Sequence, residues 1–272
     1  MLAIKNNIMA ANAARHLGIA YDSLAKSVER LSSGLRINSA KDDAAGLAVR
    51  ELMRADIAVL QQGSRNAQDG ISMLQTMEGA MATMDEALIR MKQLAEQAST
   101  GSYSDAQRTI MNSEFGQMAD EIQRIAGSAK FNGNTLLNSA SATVTIRFGG
   151  EDDFIDIAGT DMTRSGLGIK ATQVNISTAG SAKAALSILD SAISLKDTAR
   201  AAFGYKMNRL ENTVSVLNIQ SENMMAAESR VSDVDVATEM AAITRNQVLA
   251  QAATAMLAQA NAMPQMALTL LR

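Results

Sequence analysis

The stretch LQTMEGAMATMDEALIRMKQLAEQA, residues 74–98, sets apolar side chains at Leu74, Met77, Met81, Met84, Leu88, Met91, Ala95 and Ala98. The steps alternate between three and four residues for more than three heptads, which is the a/d pattern of a coiled-coil seam. Gly79 is the single glycine in the stretch and there is no proline, so nothing in it stops a helix. The stretch therefore predicts one long helix with a narrow apolar stripe that needs a partner.

Moving outward, the pattern breaks at Ser99–Ser104, where Gly101 ends one helix and Ser104 or Asp105 caps the next. It resumes in Met111, Phe115, Met118, Ile122, Ile125 and Ala129. Upstream, Leu17, Tyr21, Leu24, Val28, Leu31 and Leu35 keep the same spacing. Far downstream, Phe203, Met207, Leu210, Val214 and Leu217 carry it again, followed by Leu249, Ala253, Met256, Ala260, Met263, Ala267 and Leu270. Helical regions at the front thus have counterparts at the back. A chain that runs out and returns pairs them antiparallel, so its two ends meet.

Composition agrees with long helices. Aromatic residues make up 3% of the 272 residues and Trp is absent, so 18 Met together with Leu, Ile, Val and Ala fill the core. Pro264 is the only proline. Gly63, Gly70 and Gly79 each cost about 1 kcal/mol against Ala inside a helix, which points to close helix approach or bending. A net charge of −3 gives no pull toward nucleic acid. The absence of Cys removes disulfides and thiolate chemistry. The N-terminal run MLAIKNNIMAANAARHLG has no continuous apolar h-region, so a cleaved secretory signal is not expected. Asn246–Leu271 carries no charge, but Gln247, Gln251, Thr254, Asn261 and Gln265 recur along it, and we read an amphipathic helix and no membrane span.

The texture changes between the helical halves. Asn132-Gly133 in FNGNTLLN suits positive φ and reads as a turn. Thr143–Phe148 alternates, with Val144, Ile146 and Phe148 on one face, and reads as a strand. Gly149, Gly150 and the acidic Glu151–Asp153 turn it, Phe154–Ile157 is its partner, and Ile169–Ile176 is a weaker further strand.

Two breaks flank the terminal helices. In LSSGLRINSAKDDAAGLA (31–48), Ser32-Ser33-Gly34 loosens the first helix, and Asn38 or Ser39 caps a new one whose first turn carries Asp42 and Asp43. The segment reads as a hinge. Its downstream match is RVSDVDVATE (230–239), with Ser232 and Asp233 as cap candidates.

The terminal helices pose an energetic problem. A pair with small residues such as Ala253 and Ala260 in its stripe buries little area at roughly 25 cal/mol per Å², against an ordering cost of about 1–2 kcal/mol per residue. We expect these ends to be stable only when packed against further copies, and take Leu17, Leu24, Leu31, Leu249, Met256, Met263 and Leu270 as candidate assembly-interface positions. A helix able to touch several neighbours through contacts that do not close into a ring builds an open helical polymer.

Enzymatic readings lack their side chains. His16 is the only histidine, so neither a catalytic triad pair nor an HExxH zinc site can be assembled, and it reads as a surface or interface residue. Glu151, Asp152 and Asp153 lack EF-hand spacing, and Ser165–Gly168 lacks the pattern of a phosphate loop. No catalytic residue, cofactor or metal site is expected.

LSSGLRINSAKDDAAGLA resembles the N-terminal signature of bacterial flagellin, and NAQDGISMLQTMEGAM (66–81), FNGNTLLN and the segment from Ser232 to the end are similar to it as well. The resemblance covers the chain apart from about residues 139–178. It implies a mainly α fold: an antiparallel coiled-coil or helical rod of long helices with a small β-hairpin insertion. It also implies a division into a terminal-helix domain (1–42 and 235–272) lining an inner tube, a helical rod domain (43–138 and 179–234), and a short variable β insertion (139–178), with no large outer domains. The implied function is the structural subunit of the extracellular flagellar filament, exported unfolded by the flagellar type III apparatus and used for swimming. Implied partners are other flagellin subunits, a secretion chaperone, the filament cap, the hook-junction proteins and a host Toll-like receptor. Arg90, Leu94 and Glu114 match the family's receptor-contacting pattern, whereas Gln93 stands where an acidic residue is usual. The alternatives are a hook-filament junction protein of the same family, against which FNGNTLLN and the intact C-terminal signature argue, and a secreted coiled-coil adhesin or effector.

Overall fold

The computed structural model describes residues 6–150, 152–170 and 174–270, with the side chains of 264, 265 and 267–270 left out. Five helices and one hairpin follow in chain order: α1 (Ile8–Ser33), α2 (Ala44–Ser99), α3 (Asp105–Ser128), β1 (Thr143–Arg147), β2 (Phe154–Ala158), α4 (Ala179–Ser232) and α5 (Val236–Leu270). They form two compact units, Met1–Ile57 with Glu222–Arg272, and Ala58–Ser221.

The second unit holds the contiguous hydrophobic core. Every seam residue of the opening stretch, Leu74 through Ala98, is 0% exposed, so the heptad reading of α2 is borne out side chain by side chain. Ser64–Asn218, Glu78–Arg200, Asp85–Lys196 and Lys92–Asp190 bond in turn, which fixes α2 antiparallel to α4. On α4, Leu189, Ala192, Lys196, Ala199, Phe203 and Leu210 are buried at heptad spacing. One of these is a lysine. Lys196 is 2% exposed and its ammonium is held by Asp85 and, at 2.9 Å, by Asp197.

The turn from α2 to α3 is built from capping interactions. Ser104 caps α3 in a reciprocal box with Gln107. Arg108, 7% exposed, reaches back to the end of α2, donating to the carbonyls of Ala98 and Thr100 at 2.8 Å each. These are carbonyls left without intrahelical partners, and a guanidinium satisfies them while favouring the negative end of the helix dipole.

Asn132 (φ 47°) and Gly133 (φ 83°) form the expected turn, closed by the Phe131–Asn134 pair. β1 and β2 pair antiparallel with Val144 opposite Ile157 and Ile146 opposite Ile155. The hairpin lies against α2. Asn66 donates to the Arg147 carbonyl at 2.8 Å, and at Gly63 the Phe148 backbone comes so close that a Cβ would overlap its carbonyl oxygen. Gly70 likewise leaves room for Ile146 and Leu210, whereas Gly79 has nothing near it, so the close-approach reading holds for the first two only.

The further strand expected at Ile169–Ile176 is not formed. Residues 171–173 lie outside the described residues, as does Glu151 of the preceding turn, and the flanking positions carry no strand. The physical reason is docking on α3. The Val174 N–H closes a helical-type bond to Lys170, the Ile176 N–H donates to Asn112 at 2.9 Å, and Ile169, Val174 and Ile176 are buried in the core.

In the first unit α1 and α5 are the packed pair. Asn7 donates to the Ala260 carbonyl at one end and Leu35 pairs with Asp233 at the other, so they run antiparallel as the sequence predicts. Two cap expectations need correction. Asp43, not Asn38 or Ser39, caps α2, accepting from the Gly46 N–H at 2.9 Å, and no acidic residue lies in its first turn. Asp235, not Ser232 or Asp233, caps α5, accepting from Ala237 and Thr238. In both cases the second acidic residue of a pair wins because it sits directly before the helix.

Candidate assembly surface

The seam between α1 and α5 mixes small and large side chains. Ala20 and Ser27 are the buried residues of α1, with half-buried Leu17, Leu24 and Leu31 between and beyond them at heptad spacing. Across from them Ile243, Ala250 and Ala260 are buried and Ala253, Leu257 and Met263 half-buried. Small residues let two helices approach closely, and this seam leaves much apolar surface outside it.

The candidate interface positions therefore divide. Leu17, Leu24, Leu31 and Met263 lie in or beside the α1–α5 seam. Leu249 is 51% exposed, Met256, 60% exposed, stands at the edge of the seam where a groove opens between the two helices, and the Leu270 side chain lies outside the described residues. Tyr21 and Val28, expected in the seam, are also exposed, because Ala20 and Ser27 occupy the facing positions. Together with Ile8, Met9, Ile19, Met240 and Val248 they give this helix pair an outer surface of large apolar side chains. Buried apolar residues of the first unit are Ala20, Ile37, Ile57, Ile243, Ala250 and Ala260.

One groove opens in this surface. Met9, Asn12, Ala13 and His16 of α1 and Ala253, Met256, Gln259, Ala260 and Met263 of α5 enclose about 450 Å³ of mainly apolar space.

The connectors beside the pair are tied together. Gly34, with φ 73°, ends α1 in the left-handed conformation. The Arg36 N–H donates to Ser232 at 2.7 Å, the Val234 N–H donates to Gly34 at 3.0 Å, and the Arg36 guanidinium donates to Val231 at 2.7 Å. Ile37 is 2% exposed and its carbonyl accepts from buried Arg50. Asp42 lies 2.7 Å from the Lys26 ammonium, which with Ser39 holds its carboxyl down at about 2. The segment expected to be a hinge is a laced junction. Its serines and glycine end the helix, and the freed backbone groups pair with the other connector.

The three receptor-pattern residues lie in the second unit. Arg90 of α2 and Glu114 of α3 form a surface ion pair at 2.7 Å, while Leu94 is 2% exposed in the core. Two of the three thus offer side-chain surface.

Among the described residues no group of His, Cys, Asp or Glu side chains could hold a metal ion, and the outer surface of the helix pair is largely apolar. The family model for the bacterial flagellin N-terminal helical region matches residues 4–142, and that for the bacterial flagellin C-terminal helical region matches residues 186–271. A flagellin of Halalkalibacterium halodurans is 43% identical over 272 residues, covering 99% of each chain. A flagellar filament 33 kDa core protein of Treponema phagedenis is 42% identical over 285 residues, again covering 99% of each. Among solved structures, the Bacillus cereus flagellin crystal structure is 30% identical with a TM-score of 0.51, covering 60% of this chain and 94% of that one. A hook-associated protein structure from Vibrio parahaemolyticus has a TM-score of 0.59 over 71% of this chain and all of its own, but at 14% identity it speaks to the fold alone. With both helical ends matched and full-length relatives at about two-fifths identity, the chain belongs to the bacterial flagellin family.

Proposed function

We infer that the chain is a structural subunit of the extracellular bacterial flagellar filament, and that its work is mechanical: it polymerises with copies of itself into the filament that propels the cell. It is not an enzyme. The observation that carries the reading is the α1–α5 pair, whose outer side displays Ile8, Met9, Tyr21, Val28, Leu249 and Met256 to solvent. They are already about half covered, so each contributes roughly 1–2 kcal/mol when a neighbour covers the remainder.

On this reading residues 1–42 and 235–272 form the inner tube, 43–138 and 179–234 the surrounding wall, and 139–178 a reduced outer insertion. The chain is exported unfolded through the flagellar type III apparatus. The part of its C-terminal helix from Asn246 on, which carries no charge, is the segment a secretion chaperone covers, and the filament cap and hook-junction proteins adjoin the subunits at the two ends of the polymer. Arg90 and Glu114 are the surface through which a host Toll-like receptor would read the subunit, Leu94 supporting them from below.

Deleting Val248–Arg272 tests the central claim. The truncated chain should keep most of its helical circular dichroism and remain soluble, while electron microscopy and pelleting detect no filaments. Filaments growing normally from it would defeat the reading.

A further inference from the structure

The sequence holds one Asn-Gly pair, Asn132-Gly133, and the fold leaves both residues exposed. Their φ angles are 47° and 83°, and the Phe131 and Asn134 backbones frame the turn by exchanging bonds of 3.0 and 2.9 Å. Neither the Asn132 side-chain amide nor the Gly133 N–H pairs with another group of the described residues, and a Cβ placed on Gly133 would meet nothing within 4 Å. We propose that Asn132-Gly133 is a site of spontaneous covalent modification, at which the folded chain closes a succinimide ring and reopens it to isoaspartate or aspartate. Nothing in this chemistry depends on whether the chain polymerises.

The Gly133 amide nitrogen gives up its proton to a base of the solvent and attacks Cγ of Asn132. A bond forms between that nitrogen and Cγ, the bond from Cγ to the side-chain nitrogen breaks, and the side-chain nitrogen leaves as ammonia. Water then adds to either carbonyl of the ring. Opening at Cγ gives aspartate, whereas opening at the main-chain carbonyl routes the backbone through Cγ and gives isoaspartate. Nothing is oxidised or reduced, and water is the only other reactant.

The fold contributes the backbone angle of Asn132. Closing the ring eclipses the Gly133 nitrogen with Cβ, which needs a ψ near about −120°, the value at the first central residue of a type II′ turn, where φ is about +60°. Positive φ at both central residues marks the present turn as type I′. The two types share the frame that Phe131 and Asn134 supply and differ by a flip of the peptide plane between Asn132 and Gly133. Glycine accepts φ of either sign, so Gly133 follows the flip without a clash. Asn132 is thus already held on the side of backbone space where the ring closes. The flipped conformation is strained for a residue with a side chain, which makes closure a process of ageing.

The two products differ in what they do to the fold. Aspartate keeps the backbone and adds a negative charge. Isoaspartate adds a methylene to the main chain, so Phe131 and Asn134 can no longer keep both bonds. Just beyond them Leu136 and Leu137 are 0% exposed, and their carbonyls accept from the Thr160 and Met162 N–H groups at 2.7 and 2.9 Å. Isoaspartate therefore loosens the start of the segment that anchors this part of the insertion.

The test ages full-length protein, folded by circular dichroism, in neutral buffer beside a synthetic peptide of residues 131–147. Trypsin releases the same peptide from the protein, since Lys130 and Arg147 bound it with no Lys or Arg between. Mass spectrometry with electron-transfer fragmentation locates the change, labelling by an isoaspartyl methyltransferase identifies isoaspartate, and Asn132→Asp supplies the aspartate standard. The expected result is loss of the parent peptide to two products changed at Asn132, with Asn134 and Asn138, followed by Thr and Ser, intact. Gly133→Ala should keep the peptide intact over the same period. A folded chain that stays unmodified while the synthetic peptide is consumed overturns the proposal, because the turn then guards the site. Conversion at Asn134 or Asn138 ahead of Asn132 overturns it too, as does a Gly133→Ala chain that ages as fast as the parent. Should Gly133→Ala fail to fold, the comparison of folded chain with peptide decides.

Discussion

Replacing Asp85 by Asn separates what a buried charge does for the α2–α4 seam from what its partner does. Lys196 occupies a heptad position between Ala192 and Ala199 and is 2% exposed, so its ammonium cannot reach water where it stands. Asp85, 31% exposed, is one of its two carboxylate partners, and Asp197 is the other at 2.9 Å and 61% exposed. Removing the Asp85 charge takes away a charge-assisted bond of about 1.5–3 kcal/mol and leaves the lysine to a partner largely shared with solvent. Complete loss of a buried pair's partner costs about 3–5 kcal/mol, and the surviving Asp197 keeps the expected cost of Asp85→Asn near 2–3 kcal/mol. At about 2–4 °C per kcal/mol for a unit of this size, the midpoint of thermal unfolding falls by roughly 5–10 °C. Lys196→Met removes the charge and keeps the volume. It should be neutral or stabilising by up to about 4 kcal/mol, since the Asp85 carboxylate left behind can turn to water. Both variants are read on depolymerised full-length protein by far-UV circular dichroism, and the double variant should recover what Asp85→Asn loses. The reasoning is refuted if Asp85→Asn shifts stability by less than about 0.5 kcal/mol, or if Lys196→Met destabilises as much as Asp85→Asn does.

Two further outcomes follow from particular contacts. Gly63→Ala puts a methyl within 2.6 Å of the Phe148 carbonyl carbon, a backbone atom that cannot rotate away, so the hairpin must lift from α2. We expect a loss of about 2 kcal/mol or more, seen as faster hydrogen exchange in β1 and β2 while Gly79→Ala, in open space, stabilises by up to about 1 kcal/mol. Asp42 is held down at about 2 against its ordinary 3.8, chiefly by its bond to Lys26, so its contribution to the connector persists above pH ~4 and is lost as pH falls through the lower value. A carboxyl resonance for Asp42 that inflects near 4 in the parent, or that does not move up in Lys26→Ala, contradicts the assignment.

The heptad runs made the helices and their antiparallel return legible, because a period of 3.5 leaves few other solutions once proline and aromatic residues are scarce. The phase of the terminal seam was harder. Leu17, Leu24 and Leu31 lie on it, but Tyr21 and Val28 are larger than Ala20 and Ser27 and fit the leucine spacing, and it is the small pair that is buried. Lys196 escaped notice for the opposite reason: its polarity hides a position that the spacing Leu189, Ala192, Ala199 and Phe203 marks as core. Arg108 is similar, its role being visible only once the end of α2 lies beside it. The third strand failed because apolar alternation records burial, and the segment's backbone N–H groups bond to local carbonyls and, at Ile176, to the Asn112 side chain of α3. For the candidate assembly surface the lack of charge from Asn246 onward was the legible signal, while the groove and the place of His16 in it needed two helices side by side.

The laced junction between Gly34–Ile37 and Val231–Val234 bears on how such a subunit carries load. A pull on α1 or on α5 cannot straighten one connector alone, because each is tied to the other by backbone bonds at Ser232 and Gly34. Tension entering through either terminal helix is split between two strands of covalent chain. In a shaft that transmits torque, sharing of this kind turns two thin tethers into one stiff coupling.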